Sequence, residues 1–485
     1  MSHTTARSAG TDPRPRGRRG RRTVWWAGAL AVLLAGYAAL DAVDAVPGPL
    51  TTAPPIEVQA LPSPAARAVD VPGPSPLPED APVPQDLASI VEPVLEDADL
   101  TGRLAYDIRD ALTGDVLLAS GETAAHTPAS VTKVLTGAAA LGTLGADARF
   151  TTRTVLDESS GSPVVHVVGG GDVLLGAGDS DPDAVMGRAG LATLAERTAE
   201  QLPGAGVTQV TVAADLSRYT GDGWHSGWKR EDIGSGYITP IVPLMQESGF
   251  EEPGQRYSSR HEDTAAVAVD TLVDALRDAD IDAEAGAPAA APQDATPLAS
   301  VDSAPVSQVV DFMLGHSDNV VAEVLGREVA LATGVEASAA QAPGAVIDAL
   351  TDQGLDTGSI TLEDTSGLDY GNRISAHDLT TILQASAQET GDLSLLIPAL
   401  PVAGLTGTLA ERYLDDESRA GAGVVHAKTG SLATVNSLAG TVLTADDRLL
   451  VFSFMADGMD RGSAPEARAA FDTALAAIAQ CGCSS

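Results

Sequence analysis

Strand-forming segments cluster at the two ends of this 485-residue chain, and that placement constrains the fold more than any other feature. Near the beginning, Arg103-Leu-Ala-Tyr-Asp-Ile-Arg-Asp, a turn at Thr113-Gly114 and Asp115-Val-Leu-Leu-Ala-Ser read as a β-hairpin. Near the end, runs at 424–431, 436–443 and 449–455 alternate or are continuously apolar, with Asp446-Asp447 as the last turn, and a helical pattern at 464–478 follows. A two-stranded hairpin is marginal alone, and unpaired strand edges are a liability. The two groups therefore predict one antiparallel sheet built from both chain ends and flanked by helices, an α+β arrangement.

The segment between must fold without interrupting that sheet. Residues of about 150–300 change in character, with strand-type runs at 164–168 and 207–213 and an acidic, Ala- and Pro-rich tract at 280–296. This predicts a large inserted domain with a core of its own. Gly169-Gly-Gly-Asp172 lies inside it, but no Gly-Lys-Ser/Thr follows, so a tight turn after a strand is expected and not a phosphate loop. From Pro305 onward the pattern becomes helical, predicting a helical subdomain.

Ahead of the folded part, arginines between Arg14 and Arg22 precede the apolar run at 24–40. The division expected is a basic cytoplasmic tail at 1–22, a signal-anchor helix or signal peptide at 23–43, a Pro/Ala-rich extended linker at 44–88 and a catalytic domain at 89–485. Trp25, Trp26 and Tyr37 resemble interfacial aromatics and favour an uncleaved anchor over cleavage after Ala45. Either outcome places the remainder outside the cytoplasm. The formal charge of −37 excludes a nucleic-acid partner, because phosphate neutralisation needs a basic face. Cys481 and Cys483 are the only cysteines, so no disulfide framework is present, and neither a metal site nor a cofactor is expected.

Three short motifs carry chemistry. Ser130-Val-Thr-Lys133 stands behind Pro128 at the start of an Ala- and Leu-rich helical run, which puts Ser130 near a helix N-terminus with Lys133 on the same face. A serine hydroxyl needs a base, and an amine serves only if burial and positive potential lower its pKa. A Ser and a Lys one turn apart are also an ordinary solvated face. Lysine scarcity argues for the chemical reading: among 29 basic residues only Lys133, Lys229 and Lys428 are lysine, and arginine cannot surrender its proton. Ser317-Asp318-Asn319 falls between two helical patterns, where taken alone it reads first as a helix N-cap and second as a proton relay with an amide to hold substrate backbone. Lys428-Thr429-Gly430-Ser431 lies on a strand of small residues. That strand is either a hairpin edge with a solubilising lysine or a surface where a peptide adds as a further strand, with Lys428 and Thr429 donating to its carboxylate and Gly430 permitting close approach.

The order S-x-x-K, S-D-N, K-T-G is the signature shared by serine β-lactamases and penicillin-binding proteins. From about Ser89 to Ile478 the chain resembles D-alanyl-D-alanine carboxypeptidase/endopeptidases of the penicillin-binding protein 4 type, also at Gly169-Gly-Gly-Asp172, 237–244, 364–375 and 400–409. The inserted domain between the first two motifs supports the peptidase side of that resemblance. The resemblance implies that Ser130 attacks the carbonyl between two D-alanines of a peptidoglycan stem peptide with Lys133 as base. It further implies that Ser317 relays a proton to the leaving amine, that the N–H groups of Ser130 and Ser431 hold the oxyanion, and that β-lactams acylate the serine. By the same resemblance Asn319, Lys428, Thr429, Gly430 and Ser431 bind substrate, with Trp228, Tyr237 and Ser366 around its side chain. Ser366-Gly-Leu-Asp-Tyr370 departs from the family's Ser-Gly-Leu-Ser-Arg, so an arginine for a carboxylate is absent there. The expected enzyme is a serine carboxypeptidase, with endopeptidase activity on cross-links as a second reading, at the extracytoplasmic membrane face or secreted to the wall. A β-lactamase or esterase with the same triad, and a catalytically silent wall-binding or sensor protein, are the alternatives.

Overall fold

The computed structural model describes Tyr37 and residues 81–481 apart from 99, 160, 256, 257 and 389. The basic tail, the apolar run apart from Tyr37, most of the linker and Cys483 lie outside the described residues. Among the described residues no helix is long and apolar enough to cross a membrane.

After helix α1 (Ala88–Asp97), strands β1 (Arg103–Asp110) and β2 (Val116–Ser120) form the expected hairpin. Its turn closes through Asp110, whose Oδ1 accepts the N–H groups of Leu112 and Thr113 at 2.9 Å each, and through Gly114 at φ +80°. Helix α2 (Thr132–Leu144), which carries Lys133, follows. The chain then leaves for the inserted domain and returns late to build β8 (Val425–Leu432), β9 (Val435–Leu443) and β10 (Leu449–Asp457). The sheet order is β2-β1-β10-β9-β8, antiparallel throughout, so the first strand pairs centrally with the last from Arg103↔Asp457 to Asp110↔Leu450.

Period-two alternation gives that sheet two buried faces. Leu450, Phe452, Phe454 and Ala456 point into a core with Val91 of α1 and Phe471 and Leu475 of the closing helix (Ala464–Ala479). Val451 and Met455 point the other way, against Ala138, Leu379 and Leu383. The α+β sheet built from both chain ends is therefore present as expected.

The inserted domain has its own five-stranded sheet, ordered β6-β5-β4-β3-β7, from β3 (Thr151–Asp157), β4 (Val164–Val168), β5 (Gln209–Asp215), β6 (Asp282–Ala285) and β7 (Thr296–Asp302). It is mixed: β4–β5 and β5–β6 run parallel, the others antiparallel. Helices α3 (Leu191–Gln201) and α4 (Thr264–Asp278) cover it with Leu194, Leu272 and Leu276 against Val165, Val210 and Val212. The strand expected at 207–213 thus sits two residues later. Gly169-Gly-Gly-Asp172 is a turn after β4: a Cβ on Gly170 would lie 1.9 Å from the Thr151 carbonyl, and Gly171 has φ +94°. Burial pushes the Asp172 carboxyl up to about 7.

The helical layer comprises α5 (Val306–His316), α6 (Asn319–Ala332), α7 (Ala342–Asp352) and α8 (Ala376–Gln388) around α2. Fully buried Val310, Met313, Val320 and Leu325 close this core beneath the first motif.

Candidate active site

The approach to Ser130 is held from several sides before any catalytic group is considered. His126 exchanges backbone hydrogen bonds with Ile374. Asp457, at the end of β10, accepts from Thr127 N at 3.0 Å and from Arg103, and pairs with His126 Nδ1 at 3.0 Å. Burial raises its carboxyl, but these donors outweigh it and bring the pKa down to about 2. Ser437 Oγ donates to the Pro128 carbonyl at 2.5 Å. Ala129 then adopts φ +53°, a left-handed conformation costly for a residue with a Cβ, and the chain enters a 3-10 turn, Ala129–Val131, before α2 begins at Thr132. Pro128 stands just before that turn, so Ser130 lies in a tight turn preceding the α-helix and not within its first turn.

Two glycines make room for this strained turn. A Cβ on Gly430 would lie 2.1 Å from Ser437 Oγ and 2.6 Å from the Pro128 carbonyl oxygen, and one on Gly367 would lie 2.0 Å from the Ala129 carbonyl oxygen. The glycine of the third motif therefore admits the chain's own Pro128–Ser130 turn, a packing requirement beyond the close approach of substrate expected from sequence.

Lys133 is fully buried, and its Nζ lies 3.0 Å from Ser130 Oγ, 2.6 Å from Asn319 Oδ1 and 2.7 Å from the Ser366 carbonyl oxygen. Burial is the chief cause that lowers its pKa to about 8; Asp364, Asp318 and Glu323 push the other way and Arg260 helps to lower it. A neutral amine has two N–H donors and one lone pair. Asn319 Oδ1 and the Ser366 carbonyl can only accept, so they take both donors and leave the lone pair facing the Ser130 hydroxyl. That is the geometry of a general base.

Ser317 is the left-handed C-cap of α5 at φ +56°, Asp318 N-caps α6 by accepting from Val321 N at 3.0 Å, and Asn319 opens that helix. Asn319 Nδ2 donates to the Tyr237 carbonyl at 2.9 Å. Ser317 Oγ lies 2.8 Å from Lys428 Nζ, which also donates to the Thr429 carbonyl at 2.8 Å. Lys428 is fully buried; desolvation, then the charge of Lys133, hold its pKa well below the usual lysine range. It is no solubilising lysine, and the three motifs converge on one site.

Strand β8 is the sheet edge. Its odd residues direct their backbone groups outward, as Ala427 N donating to the Pro401 carbonyl shows. Beyond Ser431 the next outward group, Ala433 N, donates to Tyr370 Oη at 3.1 Å. Between these two bonded ends lies a window of strand edge only two outward residues long, Thr429 and Ser431. Thr429 Oγ1 also donates to Thr408 at 3.1 Å, and Ser431 is exposed.

The residues placed around the side-chain pocket behave differently from expectation. Trp228 is 5% exposed and its indole N–H is used on Asp364 Oδ2 at 2.9 Å, so it packs as a wall and offers substrate no donor. Ser366 is fully buried and contributes its backbone carbonyl to Lys133, not its hydroxyl to a ligand. Tyr237 is exposed beside the site through its carbonyl contact with Asn319. Where the arginine is absent, Tyr370 reaches Ala433, and Asp369 Oδ2 pairs with His225 Nε2 at 2.7 Å.

Sequence reasoning passed over Glu323, Asp364 and Arg260. Glu323 Oε1 accepts the N–H groups of Thr365 and Ser366 at 3.0 Å each, fixing the carbonyl that holds Lys133. Burial and the neighbouring Asp364 push its carboxyl up. An acid inside the apolar run Val320-Val-Ala-Glu-Val-Leu325 was the available signal. Among the described residues no group of His, Cys, Asp and Glu could hold a metal ion.

With this geometry in view, the chain matches the D-Ala-D-Ala carboxypeptidase 3 (S13) family over residues 87–255 and 251–478. It is 36% identical over 466 residues to carboxypeptidase DacB of Mycolicibacterium smegmatis, covering 94% of this chain and 95% of that protein. With the D-alanyl-D-alanine carboxypeptidase of an Actinomadura species it is 27% identical, covering 78% of this chain and 82% of that one. The crystal structure of penicillin binding protein 4 (dacB) from Haemophilus influenzae shares the fold, with a TM-score of 0.65 at 20% identity over 80% of this chain and 98% of that one.

Proposed function

The chain belongs to the D-Ala-D-Ala carboxypeptidase 3 (S13) family and is a serine-type D-Ala-D-Ala carboxypeptidase, and from that premise we propose how its own residues perform the reaction. The observation that carries the proposal is the buried Lys133 amine, 3.0 Å from Ser130 Oγ with both its N–H groups committed elsewhere.

Ser130 Oγ attacks the carbonyl of the penultimate D-alanine while its proton passes to Lys133 Nζ. The oxyanion is received by the N–H groups of Ser130 and Ser431, the latter on the outward edge of β8, each worth about 3 kcal/mol in sites of this kind. Ser317, hydrogen-bonded to Lys428, relays to the departing D-alanine nitrogen the proton that Lys133 took up, so the base is neutral again when the amine leaves. Water then hydrolyses the acyl-enzyme. The short edge window at Thr429 and Ser431 suits the last residues of a peptide adding as a strand, with Lys428 and Thr429 near its carboxylate. β-Lactams acylate the same serine. Cross-linked stem peptides are a second substrate class, and the arginines at 14–22 followed by the apolar run at 24–40 support an anchor at the extracytoplasmic face of the cell membrane, or secretion to the wall where that segment is cleaved.

D-Alanine release from a diacyl tripeptide and from a cross-linked muropeptide, with and without penicillin, tests this reading. Release that the drug does not inhibit, or a penicillin adduct on a residue other than Ser130, overturns it.

A further inference from the structure

The inserted domain meets the second motif through a buried arginine. Arg260 is 4% exposed and pairs with Asp318 Oδ2 at 3.0 Å. Its Nη1 donates to Ser248 Oγ at 2.7 Å and to the Ser248 carbonyl, its Nε donates to the Gly236 carbonyl at 2.8 Å, and its guanidinium lies 3.8 Å from the centroid of the Phe250 ring. Ser248 Oγ also donates to Asp318 at 2.9 Å. The backbone here is strained to match: Glu247 and Ser248 are consecutive left-handed residues at φ +52° and +54°. The same insert supplies the Tyr237 carbonyl that orients the Asn319 amide. Asp318 stands between Ser317 and Asn319, so whatever fixes Asp318 fixes both neighbours.

We propose that Arg260 is a positioning residue of the catalytic centre, through which the inserted domain holds the Ser317–Asn319 turn and sets the electrostatic balance around Lys133. The proposal rests on the reading of Lys133 as the base. The charged groups acting on Lys133 come from four elements: Asp318 and Glu323 of the α6 segment, Asp364 of the loop after α7, Arg260 of the insert and Lys428 of β8. Arg260 is the cation that offsets Asp318. Burial by itself would raise the Asp318 carboxyl, but Arg260, Val321 N–H and Ser248 hold it below the usual range, so it stays ionised beside the site. The planar fork serves four acceptors at once, which a lysine cannot do.

The test is the rate of penicillin acylation as a function of pH, with thermal melting alongside. In Arg260→Gln the Asp318 charge is left uncompensated, Lys133 holds its proton more tightly, and the acid limb moves to higher pH by at least about half a unit, which is about threefold in rate on that limb. Asp318→Asn leaves Arg260 uncompensated and moves the limb to lower pH. In Arg260→Gln/Asp318→Asn the limb returns toward the wild-type position. A folded Arg260→Gln protein with an unmoved limb overturns the proposal. If that variant does not fold, an unmoved limb in Asp318→Asn does so equally. If both single variants unfold, the readout is the plateau acylation rate of the double variant, which should fall at least about threefold because the Ser317–Asn319 turn has lost its anchor even where the limb has returned; a folded double variant with the wild-type plateau rate reduces the pair to a stability element and overturns the proposal. Wild-type protein that penicillin does not acylate would instead sink the underlying function, so the two failures are distinguishable.

Discussion

Replacing Lys133 by methionine removes the amine and keeps the length of the side chain, so it isolates the base. With a pKa of about 8, Lys133 is neutral in about one molecule in a hundred at pH 6, one in ten at pH 7 and half at pH 8. Wild-type acylation by penicillin should therefore rise about fiftyfold between pH 6 and pH 8 and level off above. Lys133→Met should acylate about 10²–10⁴-fold more slowly at pH 8, the usual contribution of a positioned base, and its residual rate should be flat across that interval. Stability moves little, because two effects oppose. Below pH 8 a buried ammonium whose pKa is lowered from 10.5 to about 8 weighs against folding by roughly 3 kcal/mol, an amount that fades as pH rises through 8 to 10.5. Against this, methionine leaves Asn319 Oδ1 and the Ser366 carbonyl without their donor, at about 1–3 kcal/mol each. The assay is stopped-flow acylation with a chromogenic β-lactam from pH 5.5 to 9, with melting curves as a control. A folded variant that acylates within tenfold of wild type, or a wild type without a limb between pH 6 and 8, refutes the assignment of Lys133.

Gly430→Ala places a Cβ 2.6 Å from the Pro128 carbonyl oxygen, so the nucleophile turn must shift; acylation should fall at least about tenfold and stability by about 1–3 kcal/mol, read by kinetics and melting. Glu323→Ala leaves the N–H groups of Thr365 and Ser366 unpaired, so stability should fall by about 2–4 kcal/mol and kcat should fall more than KM rises, since the Ser366 carbonyl loses its anchor to Lys133's partner set. Asp457→Asn should matter only above the native pKa: wild-type stability includes roughly 2 kcal/mol from this carboxylate above pH 4, lost as pH falls through about 2, so acid melting curves of the two proteins should converge.

The two-ended sheet was readable because each run announces itself locally. Alternation in Arg103–Asp110 and the continuous apolar face of Leu449–Asp457 leave no other use for those strands than each other. Lysine scarcity singled out Lys133 and Lys428, and the fold buries both of them at the point where the three motifs meet. The side-chain pocket was not readable in this way. Trp228 and Ser366 bear the residue types of a binding site, yet burial turned one into a wall and the other into a backbone acceptor for Lys133. Glu323 and Arg260 carried only weak local signals, since a buried acid and a buried arginine look in sequence like any other charged residue.

The sequence alone determined the chemistry available: a serine one turn from a lysine, a polar triplet between helices, and a lysine on a strand of small residues. These are properties of near neighbours, governed by helix and strand periods. Tertiary structure decided the state of that chemistry. Lys133 has the surroundings a base needs because Asn319, 186 residues away, and Ser366, 233 residues away, accept from its amine while burial lowers its pKa to about 8. Gly430 is required because β8 presses against the Pro128–Ala129 turn. Desolvation and hydrogen-bond accounting act on whatever the fold brings together, and no local pattern records those distances.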